Sequence, residues 1–127
     1  MNANLTTALI TGGTSGIGRA VAEQLAALGI HVIVAGRNEE RGEKTVAEIG
    51  ETGGKCNFIQ TDLGDVSSIR SLAKRAVELG GGHVNILVNN AGIYPHGLTH
   101  EMKEKDFDSV YALNVKAPYF LVAELAP

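Results

Sequence analysis

Three glycines near the start of the chain have the spacing of a phosphate-binding turn. Gly12, Gly16 and Gly18 form the pattern G-x-x-x-G-x-G directly after the apolar run at residues 8–10. Glycine allows the backbone to adopt positive φ and to approach a ligand closely. A helix starting within this turn adds unpaired N–H groups and a partial positive charge, which together stabilise a bound diphosphate. The other residues of the turn that would face this ligand are Thr14, Ser15 and Ile17.

A charged residue that is a candidate for ligand binding follows a second apolar run, which covers residues 30–35. In nucleotide-binding folds an acidic residue about 20 positions beyond the glycines binds a ribose 2′-hydroxyl. This sequence has Gly36 at that place, and Arg37 follows it. The charge and forked guanidinium of Arg37 suit a 2′-phosphate, which favours NADP(H) over NAD(H). A solvated loop arginine is the alternative interpretation.

Two further motifs follow apolar runs in the same way. Asp62 and Leu63 come after residues 55–61, and the motif N-N-A-G at residues 89–92 ends the run that begins at Asn85. Small residues in the second motif let the backbone approach a ligand, and its asparagine amides can tie neighbouring strands together. The alternative interpretation of Asp62 is a turn residue near a helix start.

The segments between these motifs alternate between strand and helix patterns. Apolar runs predict strands at residues 8–10, 30–35, 55–61 and 85–89. Helical periodicity predicts three helices between the strands, a short one at residues 104–112 and another from Asn114 onward. Asn38 and Asp65 are placed to cap the second and third helices. The apolar faces of the first three helices are predicted to be Ile17, Ala20, Val21, Leu25 and Leu28; Val46, Ala47 and Ile49; and Val66, Ile69, Ala73, Ala76 and Val77.

This alternation predicts an α/β fold of the Rossmann type, a doubly wound parallel sheet with right-handed crossovers. The expected strand order is 3-2-1-4, with a ligand crevice between strands one and four, where the order reverses. In that arrangement the glycine turn and the N-N-A-G motif lie on opposite sides of the crevice.

Composition excludes several other classes of protein. The chain has 127 residues, 44% of them hydrophobic and 20% charged, which predicts one globular domain over residues 1–127. A formal net charge of -3 gives no general attraction to nucleic acid or to an anionic membrane. Cys56 is the only cysteine, so neither an internal disulfide nor a cysteine metal cluster is expected. Because there is no secretory signal and no apolar run of roughly 20 residues, we expect a cytoplasmic protein.

The combined motifs resemble the short-chain dehydrogenase/reductase family, and the resemblance covers essentially the whole chain. It rests on T-G-x-x-x-G-I-G at residues 11–18, N-N-A-G at 89–92 and L-N-V at 113–115. It implies the N-terminal, NAD(P)-binding part of an oxidoreductase that transfers hydride between nicotinamide and an alcohol or carbonyl carbon. The residues expected to bind the cofactor are Gly12, Thr14, Ser15, Gly16, Ile17, Gly18, Arg37, Asp62, Leu63, Asn90, Ala91 and Gly92.

The resemblance also assigns individual roles. It implies that Asp62 faces the adenine edge and that Leu63 packs on the adenine ring. It identifies Asn114 with the family's catalytic asparagine, which kinks a helix and holds a water of the proton relay. Some NADP-binding members carry a basic residue just before the second glycine, where this chain has Ser15. Family members are often dimers or tetramers through the helix that begins near Asn114.

The family's catalytic Ser, Tyr and Lys are not matched in this chain. Family members place the Lys four residues after the Tyr, where it lowers the tyrosine pKa. Lys116 stands five residues after Tyr111, so the two side chains diverge on a helix. The residues four positions after the three tyrosines are Leu98, Val115 and Ala123. We therefore expect the chain alone to lack dehydrogenase activity and its fourth strand to be an exposed apolar edge.

Two other interpretations stay open, a non-catalytic nucleotide-binding Rossmann module and an NAD-dependent member of the same family.

The histidines do not form a convincing catalytic or metal site. His96 and His100 have the spacing of metal ligands on a helix, but the neighbouring Pro95 and Gly97 disfavour a helix there, so we expect no metal site. His31 and His83 stand alone beside predicted strand starts and are expected to be structural.

Overall fold

The computed structural model describes residues 5–93 and 97–126. The strands within those residues are β1 (Thr7–Thr11), β2 (His31–Gly36), β3 (Cys56–Gln60) and β4 (Ile86–Asn89). The α-helices are α1 (Gly16–Ala27), α2 (Glu39–Glu51), α3 (Val66–Leu79), α4 (Glu104–Tyr111) and α5 (Ala117–Leu125). A 3₁₀ turn covers Thr99–Glu101, and a π-helical turn, Ala112–Lys116, joins α4 to α5.

The four strands form one parallel sheet in the order β3-β2-β1-β4. Leu9 of β1 pairs with Ile33 of β2 on one side and with Leu87 of β4 on the other. The predicted Rossmann-type fold and the predicted strand order are therefore confirmed. Because the strands are parallel, their carboxyl ends meet at one edge of the sheet, where the glycine turn, Arg37, Asp62 and the N-N-A-G motif all follow a strand.

Two hydrophobic clusters cover the two faces of the sheet. Successive residues of a strand point to opposite faces, so Leu9 and Ile33 pack toward α3 and α5, while Ile10 and Val34 pack toward α1 and α2. All four of these side chains are completely buried. Burial on both faces explains why β1 and β2 have continuous apolar sequences rather than alternating ones.

The buried face of α1 differs from the one predicted. Ile17 and Leu28 are 78% and 66% exposed, and Ala20 is exposed as well. The helix buries Gly18, Ala22 and Ala26, and only Val21 and Leu25 of the predicted face pack against the same cluster. The reason is a backbone contact, because Gly18 lies so close to the carbonyl of Gly12 that a Cβ atom could not fit between them. This contact sets the rotation of the helix and turns Ile17 outward.

The same kind of contact shifts the buried face of α2. The predicted face included Ala47, which is exposed, whereas Gly42 and Thr45 are buried with Ile49. The ring of Phe58 in β3 lies directly over Gly42 and occupies the space of a Cβ atom. In α3 the predicted residues Ile69, Ala73 and Ala76 are buried and Leu72 joins them, whereas Val66 and Val77 are partly exposed.

Helix ends follow the predicted capping, except around Asn114. The side chain of Asn38 accepts a hydrogen bond from Arg41 N at 2.9 Å, and that of Asp65 accepts one from Ser68 N at 3.2 Å. The predicted start of a separate helix at Asn114 is wrong, because α4 continues without a break through the π-helical turn into α5. Asn114 lies inside that turn. No helix within the described residues is long and apolar enough to cross a membrane.

Candidate functional site

The glycine turn between β1 and α1 has the backbone geometry of a ligand site. Gly12 and Gly16 have φ values of 66° and 56°, in the region that favours glycine. A Cβ atom on Gly12 would lie 2.9 Å from Asn90 Nδ2, so this glycine is required by packing. A Cβ atom on Gly16 would meet nothing within 4 Å. Gly16 therefore faces open space at the start of α1, where a ligand would approach the backbone.

The first turn of α1 leaves its N–H groups available to an anion. The first amides of a helix have no partner within the helix, and the side chain of Ser15, the N-cap residue, makes no capping bond to them. The sequence places no carboxylate in this turn. The partial positive charge of the helix start is therefore not neutralised locally. Ser15 and Ile17 are both exposed beside it.

Thr14 connects the glycine turn to the end of β2. Its side chain is 9% exposed. A Cβ atom on Gly36 would lie 3.5 Å from Thr14 Oγ1. The backbone of the turn is held in the same region, because Gly12 N donates to the carbonyl of Ala35 at 2.9 Å. The turn is thus fixed against the strand that leads to Arg37.

Thr11 and Asn90 hold the other side of the turn. The Thr11 hydroxyl accepts hydrogen bonds from the backbone N–H groups of Asn90 and Ala91, each at 3.1 Å. The Asn90 side chain donates from Nδ2 to the carbonyl of Gly12 at 3.2 Å. These bonds join the ends of β1 and β4 across the predicted crevice and confirm that an asparagine amide ties the two strands. Gly92 is exposed in the loop that follows.

Arg37, Asp62 and Leu63 line one cavity of about 410 Å³ at the carboxyl edge of the sheet, together with Ile93 and Leu113. The Arg37 carbonyl accepts a hydrogen bond from Gln60 Nε2 at 3.2 Å, which fixes the backbone while the side chain is exposed. The structure therefore brings the predicted 2′-phosphate and adenine residues into one place, beside the loop that follows β4.

Asp62 and Leu63 have structural roles besides lining this cavity. Asp62 Oδ1 accepts a hydrogen bond from Gly64 N at 2.9 Å, which is the turn geometry considered as its alternative role. Leu63 is only 5% exposed and belongs to the cluster under α3 and α5. Its side chain therefore offers an edge rather than a broad face to a ring in the cavity.

Asn114 binds the backbone of the loop that follows β4. Its Oδ1 atom accepts a hydrogen bond from Ile93 N at 2.9 Å, and its Nδ2 atom donates to Ile93 O at 2.8 Å. The amide is thus paired with both polar groups of one residue. The π-helical turn that contains Asn114 presents it to this loop. Sequence reasoning identified Asn114 and named Thr11 only as part of the glycine motif, without a role for its buried hydroxyl. It missed Ile93, which acts through its backbone groups.

One further ionisable residue, Asp108, lines the cavity beside Arg37, whereas the Cys56 thiol is buried away from it. Burial raises the pKa of the Cys56 thiol to about 11, which disfavours the reactive thiolate. Within residues 5–93 and 97–126, no three His, Cys, Asp or Glu side chains form a potential metal site. His96, which was paired with His100 in the sequence, lies outside the described residues, so the absence of a metal there stays a prediction.

Comparison with known proteins identifies the family. The sequence profile described as short chain dehydrogenase matches residues 6–127. The chain belongs to this family. An uncharacterized oxidoreductase of Thermotoga maritima is 44% identical over 114 residues, which are 89% of this chain and 44% of that protein.

Solved structures of family members superpose on the whole chain. A metagenomic short-chain oxidoreductase in complex with NADP matches with a TM-score of 0.94 and 34% identity, over 100% of this chain and 57% of that one. A short chain dehydrogenase from Burkholderia cenocepacia in complex with NADP matches with a TM-score of 0.92 and 35% identity, over 99% and 51%. The chain thus spans about half the length of the relatives it matches.

Proposed function

We propose that this chain is the cofactor-binding part of an NADP(H)-dependent oxidoreductase that acts on alcohol and carbonyl groups. The observation that carries the proposal is the glycine turn at the start of α1, with Gly16 facing open space and the helix amides free of a capping side chain. The family membership supports hydride transfer as the reaction. The whole enzyme's activity belongs to the proposal, because the chain spans about half of its relatives.

The residues at the carboxyl edge of the sheet fit a dinucleotide. Its diphosphate would lie over the amides of Gly16 and Ile17, where the helix start favours an anion. The cavity beside Asp62 and Leu63 would receive the adenine, and the loop that contains Asn90 and Ala91 borders the path to the reacting end. When bound, the nicotinamide supplies the hydride donor or acceptor, and the chain's own residues bind and orient it.

Arg37 is the residue that we expect to select the phosphorylated cofactor. Its exposed guanidinium stands at the end of β2 and lines the same cavity as Asp62. At the position where an acidic residue would repel a 2′-phosphate, this sequence has Gly36. Two of the matching structures are described as NADP complexes, which supports the same choice.

Calorimetric titration of the 127-residue chain with NADPH and NADH tests this selection. We expect tighter binding of NADPH, and we expect Arg37→Ala to lose that preference by about 10- to 100-fold, the value of one charge-assisted hydrogen bond. Arg41→Ala is the matched control, because Arg41 is an exposed arginine of the adjacent helix that does not line the cavity. Equal affinities for the two cofactors would instead favour the NAD-dependent alternative.

We further propose that the 127-residue chain binds cofactor without catalysing turnover. It contains no Tyr-x-x-x-Lys pair, so Asn114 has no proton donor to serve within this sequence. Steady NADPH oxidation by the purified chain with a panel of ketones and aldehydes would contradict this. The coding sequence beyond Pro127 separates an enzyme from a non-catalytic nucleotide-binding module, because only an enzyme requires the Ser, Tyr and Lys to follow.

A further inference from the structure

A side chain of the edge strand β3 holds the main chain of Arg37. Arg37 is the single residue between Gly36, the last paired residue of β2, and Asn38, the N-cap of α2. Its carbonyl accepts a hydrogen bond from Gln60 Nε2 at 3.2 Å, and no other hydrogen bond reaches this carbonyl from residues 5–93 and 97–126. The direction in which the guanidinium leaves the sheet therefore depends on one side-chain contact.

The backbone of Gln60 is itself firmly placed. Gln60 pairs with Gly36 in the register of β3 and β2, and the next residue, Thr61, donates from its N–H to the Gly36 carbonyl at 2.9 Å. Ile59 and Thr61, on either side, are only 2% and 5% exposed. Gln60 by contrast is exposed, because β3 is an edge strand. The strand is thus a rigid support from which a single amide reaches Arg37.

Two carboxylates stand on the far side of this contact. Gln60 lines a surface cavity of about 500 Å³ together with Glu39 and Glu43 of α2. Arg37 lines the different cavity that contains Asp62. Because opposite charges attract, the carboxylates of α2 compete for the guanidinium whenever the main chain of Arg37 can rotate. The hydrogen bond from Gln60 opposes that rotation.

We propose that Gln60 is a positioning residue for cofactor selection, which holds the main chain of Arg37 so that the guanidinium faces the cavity beside Asp62. The inference rests on the proposed function, because it takes Arg37 as the residue that binds the 2′-phosphate. Gln60 acts through Arg37 rather than by touching the cofactor, since it lines a different cavity. NADH has no 2′-phosphate, so the effect of Gln60 is confined to NADPH.

Calorimetric titration of Gln60→Met with NADPH and NADH tests this role. Methionine keeps the length of the side chain and removes the N–H donor. We expect NADPH to bind about 2- to 10-fold more weakly, the range of one neutral hydrogen bond, with the affinity for NADH unchanged. Gln24→Met is the matched control, because Gln24 is an exposed glutamine in the second half of α1. Neither affinity should change in the control.

Gln60→Glu is a second variant that removes the same donor. A carboxylate has nearly the size of the amide but cannot donate to the Arg37 carbonyl. Its negative charge also attracts the guanidinium, so we expect the loss of NADPH affinity to be at least as large as in Gln60→Met. Thermal melts by circular dichroism would verify that both variants are folded. Unchanged NADPH affinity in either folded variant would overturn the inference.

A double-mutant cycle with Arg37→Ala separates positioning from a merely structural role. In the Arg37→Ala background, Gln60→Met should leave NADPH affinity unchanged, because its effect passes through the missing guanidinium. A loss that persists in that background, or an equal loss of NADH affinity, would overturn the inference. Equal affinities of the unmodified chain for NADPH and NADH would overturn the proposed cofactor selection as well. An NADPH preference that survives Gln60→Met would overturn this inference alone.

Discussion

The two ends of the parallel sheet are both rich in glycine but have opposite electrostatic character. At the carboxyl end, α1 begins at Gly16, and the cavity beside Arg37 and Asp62 opens next to the turn. At the amino end, a cavity of about 550 Å³ is lined by the glycines that follow α1, α2 and α3, together with His31, Lys55 and His83. Helix starts carry partial positive charge and helix ends carry partial negative charge. Glycine content alone therefore does not make a phosphate site, and the direction of the helices decides which end binds an anion.

The largest effect is expected from Gly18→Ala at the carboxyl end. A Cβ atom there collides with the carbonyl of Gly12 and with the Asn90 side chain. We expect a loss of about 2–4 kcal/mol in the free energy of unfolding, measured by urea denaturation, because the backbone must move. Gly81→Ala at the amino end is the control, since its φ is 75° but a Cβ atom would meet open space. The free energy of unfolding of that variant should fall by only about 1 kcal/mol.

Gly16→Ala separates ligand binding from stability at the same turn. Its φ of 56° strains an alanine, but a Cβ atom there would meet nothing within 4 Å in the protein. We expect a stability loss of about 1 kcal/mol with a disproportionate loss of NADPH affinity by calorimetry. Unchanged affinity in this variant would argue against a diphosphate over the start of α1.

Thr11→Val tests the bonds that join β1 to β4 at the carboxyl end. The substitution keeps the shape of the side chain and removes the hydroxyl that accepts from Asn90 N and Ala91 N. Because Thr11 is only 2% exposed, we expect a loss of about 1–3 kcal/mol in the free energy of unfolding. At the amino end, Asn85 Oδ1 accepts from Thr7 N at 2.8 Å, but Asn85 is exposed. Asn85→Ala should cost less, because it removes one accepted hydrogen bond rather than two, and a larger cost would contradict this comparison.

The smallest effect concerns His31 at the amino end. Burial lowers its pKa below the ordinary value of 6.5, the nearby Lys55 lowers it further, and its hydrogen bond to Asn57 Oδ1 at 2.6 Å opposes the shift. The unfolded chain therefore binds a proton more readily than the folded chain. Stability from this group is complete above pH 6.5 and falls as the pH drops through the lowered pKa.

Urea midpoints at pH 7.5 and 5.5 would measure this dependence on pH. We expect His31→Gln to have a smaller decrease between the two conditions than the unmodified chain, because glutamine can still hydrogen-bond but does not titrate. An identical decrease in both proteins would show that other groups cause the acid sensitivity.

Local sequence signals predicted the strands and the capped helix starts well. The capping residues Asn38 and Asp65 form their bonds within the first turn of their helices, so the sequence contains all the information that they need. Arg37 and Asp62 could be placed together because each follows a parallel strand, and parallel strands end at one edge. The faces of α1 and α2 were predicted less well, because glycine contacts with distant backbone and with Phe58 outweigh the apolar pattern.

The sequence by itself determined the strands, the glycine turn and the arginine that follows β2, because these depend on residues close together in the chain. The strand order could be predicted only by adding the general handedness and switch-point rules for parallel sheets. Only the tertiary structure decided how the site is held together. The hydroxyl of Thr11 meets the amides of Asn90 and Ala91 across 79 and 80 positions, and Asn114 meets Ile93 across 21. The pairing of β1 with β4 and the path of the helix bring these hydrogen-bond partners together. No local sequence pattern encodes these long-range contacts.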